Sequence, residues 1–158
     1  MLIQSLFIFG EEPIKFPQTL TSISGEGIDV EKLSESKTIV VVTLKSHTCS
    51  VCKNQLERIK RNLDAFEMCN LSFLVVCPGT IDEVKSIKRE SDFPFPFIAD
   101  TNLEIGNQMG LTLGDSELYP SIFVLNKDRT IRWMQKGRNY LYYGDDELKE
   151  ALNCHNWI

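Results

Sequence analysis

Apolar positions fall first in strand-like runs and then at helical spacing, and the order of these patterns predicts the architecture. Ile39–Leu44 is an almost unbroken β-branched run from Thr38 onward, the signature of a strand covered on both faces. A polar break at Ser46-His47-Thr48 follows. Cys52, Leu56, Ile59, Leu63 and Phe66 then recur at alternating spacings of four and three, which predicts one helix with all five on a single face. Lys53, Glu57, Arg58, Lys60 and Arg61 fall on its other faces. Leu71–Cys77 reads as a second strand, ended by Pro78-Gly79. Ile81–Ser91 is a weaker amphipathic helix through Ile81, Val84 and Ile87 or Lys88. Phe93–Phe97 is held extended by its two prolines and leads into Ile98-Ala99-Asp100, where Asp100 is placed to cap the next helix. That helix, Leu103–Met109, stops at Gly110. Ser121–Asn126 and Thr130–Gln135 form an antiparallel pair around the turn at Lys127–Arg129, and Asp145–Leu152 is a closing helix.

Strand and helix alternate first, and a hairpin with a final helix follows. Such an order predicts an α/β fold: parallel strands joined by crossovers, antiparallel strands added at one side, helices on both faces of one mixed sheet. The opening region, with Pro13, Pro17, Gly25 and Gly27 between short apolar pieces, predicts an arm or hairpin laid on that core.

At 158 residues the chain is sized for one domain, and 42% apolar with 25% charged residues excludes a largely disordered polymer. Seventeen Lys plus Arg against 22 Asp plus Glu give a net charge of -5, which argues against nucleic acid as a partner. No run of 18 apolar residues exists, so no membrane helix is expected. Met1–Phe9 is interrupted by Gln4 and Ser5 and has no basic start, so no secretory leader is read there and a cytoplasmic location is expected. Five cysteines, an odd number, do not make a disulfide scaffold.

Two of those cysteines carry the candidate chemistry. Cys49-Ser50-Val51-Cys52 is a C-x-x-C pair where a buried strand turns into a helix. Such spacing arises by chance in about one sequence of this composition in eight, so its location carries the weight. Cys49 falls at the helix start, where unsatisfied N–H groups and the macrodipole favour an anion. Cys52, one turn on, shares the face of Leu56 and Ile59 and is expected to be buried. This predicts an exposed attacking thiolate and a shielded resolving thiol. Lowering a thiol pKa from about 8.5 to about 7 raises the neutral-pH thiolate roughly 15-fold. The accompanying loss of nucleophilicity takes back roughly five- to six-fold, so the larger benefit is a better leaving group with an intramolecular resolver beside it.

Other readings stand beside this one. A structural zinc site needs a second ligand pair, and Cys154-His155, Cys69 and Cys77 do not supply that spacing, so no metal and no cofactor are expected. Inert half-buried cysteines are a further alternative. Cys69 and Cys77 read as core or strand-end residues, and Cys154 as a further resolving thiol or a frayed tail residue. His47, two residues before Cys49, could shuttle a proton or simply be solvated. Pro120 opens the strand Ile122–Leu125; it is either a proline placed where no ladder N–H is needed or a cis bond that leaves a backbone edge free for an extended substrate.

The run Lys45–Lys53 (KSHTCSVCK) behind its buried strand, FPFPFIAD, and YPSIFVLNKDRTIRW together resemble the thioredoxin-like superfamily, in its redoxin branch of peroxiredoxins and thiol-disulfide oxidoreductases. The likeness runs from about residue 10 to 153. Pro13, Phe16 and GEGIDVEKL are similar to the N-terminal extension of that branch, so one domain over 1–158 is expected, with 1–37 packed on the core. The resemblance implies a three-layer α/β/α fold and places the attacking cysteine, the resolving cysteine and a cis-proline at Cys49, Cys52 and Pro120. It also exposes departures. Aligned on Cys52, the peroxiredoxin Pro and Thr positions are Lys45 and Cys49, and the activating Arg position is Pro120. Against thioredoxins, the Trp before the first Cys is Thr48 and the buried acid is Thr43.

The expected function is therefore thiol-disulfide exchange on protein or small-molecule disulfides, reset by an external reductant such as a thioredoxin or glutathione system, in a monomer or weak dimer. A peroxiredoxin-like peroxidase and a non-catalytic thioredoxin-fold binding module are the alternatives.

Overall fold

The computed structural model describes residues 12–66 and 69–153. A small hairpin, β1 (Thr19–Thr21) with β2 (Gly27–Asp29), precedes the short helix α1 (Val30–Ser34), which Asp29 caps by accepting the Lys32 N–H. Next come β3 (Thr38–Thr43), α2 (Ser50–Arg61), α3 (Leu63–Phe66), β4 (Leu71–Cys77), α4 (Ile81–Ser91), β5 (Phe97–Ala99) and α5 (Glu104–Met109). A two-residue pair, β6 (Thr112–Leu113) with β7 (Glu117–Leu118), leads into β8 (Ser121–Leu125), β9 (Ile131–Lys136) and α6 (Asp145–Leu152).

The main sheet has the order β5-β4-β3-β8-β9. β3, β4 and β5 run parallel, while β8 is antiparallel to both β3 and β9. This is the mixed sheet that the alternation of elements predicts, and β3 lies at its centre. Successive side chains of a strand point to opposite faces. Val40, Val42 and Leu44 therefore meet Cys52, Leu56 and Ile59 of α2, Val84 and Ile87 of α4, and Leu148 and Leu152 of α6. Ile39 and Val41 meet Phe16, Leu20, Ile28, Ile105 and Leu118 on the other face. Leu20 and Ile28 of the N-terminal hairpin lie in this layer, whereas residues 1–11 of the expected 1–37 extension fall outside the described residues. Removing a side chain of this size from water contributes roughly 1.5–3 kcal/mol, which is why the apolar run and not hydrogen bonding locates β3.

Phe73 sits among Phe66, Phe93 and Phe95, with centroids 5.9, 5.7 and 5.2 Å away, so the extended Phe93–Phe97 segment is core cover. α6 is held to α2 by Arg58, which donates to both carboxylate oxygens of buried Asp145 at 3.3 and 3.1 Å.

Three local expectations change. The single helix through Phe66 is two, because Asn62 leaves the helical backbone (φ -105, ψ 10) and its side-chain amide caps Arg58 O at 2.7 Å. Ile81 is 52% exposed, because α4 turns Val84, Ile87 and Ser91 to the core and its first residue falls off that face. The β6–β7 pair went unread because two-residue strands are too short to show a period.

Asp100 ends β5's connection and accepts from the Ile105 and Gly106 N–H groups at 3.0 and 2.8 Å, while itself buried. Gly106 must lack a Cβ, which would collide with Leu118 Cδ2. Replacing Asp100 with Ala leaves two buried donors unpaired and is expected to cost about 2–3 kcal/mol. A urea titration that shows a lower midpoint at unchanged slope is the check.

Candidate active site

β3 delivers the chain to the C-terminal edge of the sheet, and the loop over residues 44–49 returns it as α2. Cys49 is the N-cap, with extended backbone (φ -72, ψ 106), and its Sγ accepts the Cys52 N–H at 3.2 Å. Three residues is close to one helical turn, so the two side chains fall side by side. They are joined as a disulfide with Cα atoms 5.3 Å apart. Cys49 is half-buried, whereas Cys52 is fully buried beneath α2 beside Leu56 and Ile59. The Lys45 N–H points at Cys52 Sγ at 3.3 Å. Cys52 is therefore the enclosed residue of the pair and Cys49 the less buried one; the helix pattern predicts an exposed Cys49, and the fold leaves it half-buried.

His47 lies in the same loop, but its Nδ1 is engaged by Glu83 Oε2 at 2.9 Å. The pair closes over Gly79 at the end of β4. Thr43 is buried, and its hydroxyl meets Ser121 Oγ at 2.6 Å and donates to Tyr119 O at 2.8 Å. A neutral hydroxyl pair thus stands where thioredoxins carry a buried acid.

Pro120 corrects one expectation. No cis peptide bond occurs among the described residues, so Tyr119–Pro120 is trans. Neither is its edge free for a substrate strand. Tyr119 N–H donates to Leu111 O at 2.6 Å, Tyr119 O is taken by Thr43, and Pro120 O accepts from Gly137 N–H at 2.6 Å. Continuing the β3–β8 register by one residue sets Pro120 opposite Leu44, at the same sheet end as the cysteine pair. It starts a strand where its missing N–H costs nothing.

The remaining cysteines do not share one environment. Cys77 is a buried free thiol whose Sγ–H faces Pro78 O at 3.4 Å. Burial first, and the Glu83 carboxylate second, push it from an ordinary value near 9 up to about 12. Cys69 is half-buried against the core, and Cys154 and His155 lie outside the described residues. Among the described residues, no three His, Cys, Asp or Glu side chains group to hold a metal ion. A cleft of about 410 Å³ opens beside the disulfide loop, lined by Ser46, His47, Thr48, Gly79, Glu83 and Glu117 among others.

Two polar residues at this end were invisible in the sequence. Gln55 looks like an outward helix position, yet it is fully buried and its amide donates to Tyr143 O. Arg138, after β9, donates through Nη2 to Thr43 O at 2.5 Å and through Nη1 to Ser121 O at 3.3 Å. Nothing in a Gly-Arg-Asn loop tripeptide signals a guanidinium turned inward. Only the chain path after β9 does.

A parallel β-α-β unit with two antiparallel strands, and a C-x-x-C disulfide at the start of its first long helix, defines a thioredoxin-like redox protein. Residues 14–134 match the AhpC/TSA family model, and the chain belongs to that family. No curated protein matches. Among solved structures, the chain is similar to peroxidoxin BcpB of Mycobacterium tuberculosis (TM-score 0.75, 13% identity, 90% of this chain and 97% of that one). It is similar also to the bacterioferritin comigratory protein of Xanthomonas campestris (TM-score 0.74, 14% identity, 90% and 97%). A secreted Mycobacterium tuberculosis disulfide oxidoreductase homologous to Escherichia coli DsbE aligns at TM-score 0.66 and 16% identity, over 91% and 98%. At these identities the likeness establishes the fold.

The raised Cys77 value has a signed consequence. The folded state keeps the Cys77 proton to about pH 12, whereas the unfolded chain releases it near 9. The folded state then binds more protons than the unfolded one, so this thiol lowers stability as pH rises from about 9 to about 12. Cys77→Ala is expected to flatten the alkaline loss by up to about 1.4 kcal/mol per pH unit, read from denaturant melts of both proteins across that range.

Proposed function

We propose that the protein is a thiol-disulfide oxidoreductase in which Cys49 exchanges with substrate and Cys52 resolves. The observation that carries this reading is the Cys49–Cys52 disulfide with one sulfur half-buried at a helix N-cap and the other enclosed. The reduced Cys49 thiolate attacks a substrate disulfide, forms a mixed disulfide and expels the first substrate thiolate, which takes a proton from water. The Cys52 thiolate then attacks Cys49 Sγ, the Cys49–substrate bond breaks, and the second substrate thiolate leaves. Two electrons have passed from the protein dithiol to the substrate. An external dithiol, or two glutathione-type thiols, reverses the oxidation. One thiolate attacks Cys49, the more accessible sulfur, and the second then displaces the Cys49 thiolate and leaves as the reductant's own disulfide. Cys52 departs as a thiolate, and the Lys45 N–H is aimed at its sulfur.

A peroxidase reading draws support from the peroxiredoxin fold of the neighbours, one of whose titles names alkyl peroxide reduction. Against it, the family's peroxide-activating Thr, Pro and Arg positions hold Cys49, Lys45 and Pro120 here.

Cys52→Ser is expected to accumulate a Cys49 mixed disulfide with a disulfide-bearing polypeptide, visible by non-reducing gel and intact mass. Cys49→Ser is expected to reduce insulin-type disulfides no faster than a free dithiol. Failure of Cys52→Ser to trap any adduct overturns exchange. Stopped-flow peroxide consumption far above that of free cysteine would transfer the assignment to the peroxidase.

A further inference from the structure

Resolution by Cys52 requires a thiolate in a site that disfavours one. Cys52 is fully buried, which disfavours an anion. The two buried acids among the described residues are engaged elsewhere, Asp100 at the start of α5 and Asp145 with Arg58, while Thr43 is a neutral hydroxyl. His47, the nearest base in the sequence, is held by Glu83. Some other group must lower the cost of the anion.

Arg138 is that group by placement. Leu44 N–H donates to Val76 O, so residue 44 faces β4 and residues 43 and 45 face β8, as successive residues of a strand alternate edges. Lys45 O accepting from Leu118 N–H agrees. Thr43 C=O and Lys45 N–H are therefore neighbours on one strand edge, within two residue rises, or roughly 7 Å. The first accepts from Arg138 Nη2 and the second donates to Cys52 Sγ. The chain beyond Arg138 then crosses the face that carries α2: Tyr143 O accepts from Gln55, and Gly144 lies against Ile122 Cγ2.

The Arg138 charge is also unanswered. Its Nε is buried with no hydrogen-bond partner, and the bonds its Nη atoms make are to neutral carbonyls. Other cations of this end have carboxylates: Lys45 with Glu117, His47 with Glu83, Arg58 with Asp145. Lys136 instead stacks on the Tyr119 ring. Among the described residues, no carboxylate pairs with Arg138. A buried guanidinium with no anion costs several kcal/mol, and the oxidised pair shown here offers it none. Reduction supplies one. We propose that Arg138 is the counter-cation of the Cys52 thiolate, so that the resolving step is served by a fixed charge and not by a base. Burial pulls the Arg138 guanidinium down to about 9, which leaves it cationic at neutral pH.

This rests on the exchange reading, and one experiment separates the two. Reduced protein mixed with Ellman's reagent, an aromatic disulfide with a coloured thiolate product, should release product in two phases: attack by Cys49, then resolution by Cys52. Arg138→Met is expected to leave the first phase within two-fold and slow the second about 3- to 30-fold near neutral pH, because less of Cys52 is ionised, partly offset by greater nucleophilicity. The deficit should shrink as pH rises, and Arg138→Lys should restore most of the rate. Equal second phases in wild type and Arg138→Met overturn the proposal but leave exchange standing, whereas no second phase in wild type overturns both. Should Arg138→Met fail to fold, the thiolate absorbance of Cys49→Ser minus that of the double serine variant decides. A Cys52 inflection below about 8.5 supports the counter-cation, and one at or above that value overturns it.

Discussion

Burial of β3 on both faces is the constraint on which the rest depends. A central strand with valines directed into two apolar layers cannot slide by one residue without exchanging its faces, so its register and its exit point are fixed together. The exit point is Lys45. From there a short polar loop has to reach the N-terminus of α2, and α2 in turn is held to the sheet by Leu56 and Ile59. The cysteine pair is the seam between these two anchored elements, which is why its geometry is set by apolar packing far from either sulfur.

At that seam, polar groups are arranged around sulfur without any acid. Cys49 is placed at a helix N-cap, Cys52 receives a backbone N–H, and a guanidinium lies one strand-edge position away. Each of these favours negative charge on sulfur. The carboxylates of the region are held away in pairs with Lys45, His47 and Arg58. Cys77 supplies an internal contrast. It shares the core cluster of Cys52, donates to Pro78 O and faces the Glu83 charge, so it stays a protonated thiol. Similar burial with different surroundings leaves one sulfur in a disulfide and the other a free thiol.

The family frame and the local chemistry also differ in a way that follows from residues. The chain has the fold of the AhpC/TSA family over residues 14–134, yet the threonine position of that family's motif is Cys49 and the arginine position is Pro120. A trans proline at the head of β8 removes both a side-chain cation and an N–H from the sheet end. Arg138 reaches back across that gap from beyond β9 to the carbonyls of Thr43 and Ser121.

Much of this was legible in the amino-acid order alone. The β-branched run, the four-three spacing through Cys52, Leu56 and Ile59, and the proline-separated phenylalanines depend on local periodicity, so they specified the strands, the helices and the half-exposed and enclosed halves of the C-x-x-C. Asp100 as a cap and the N-terminal hairpin were readable for the same reason. What only the folded chain decided were contacts between distant segments: the trans bond at Pro120, tied by Thr43, Leu111 and Gly137; Glu83 on His47; Gln55 under Tyr143; and Arg138 against β3. Those pairings join separate elements of the chain and carry no periodic signal, because a polar side chain turned inward looks, in sequence, the same as one turned to water.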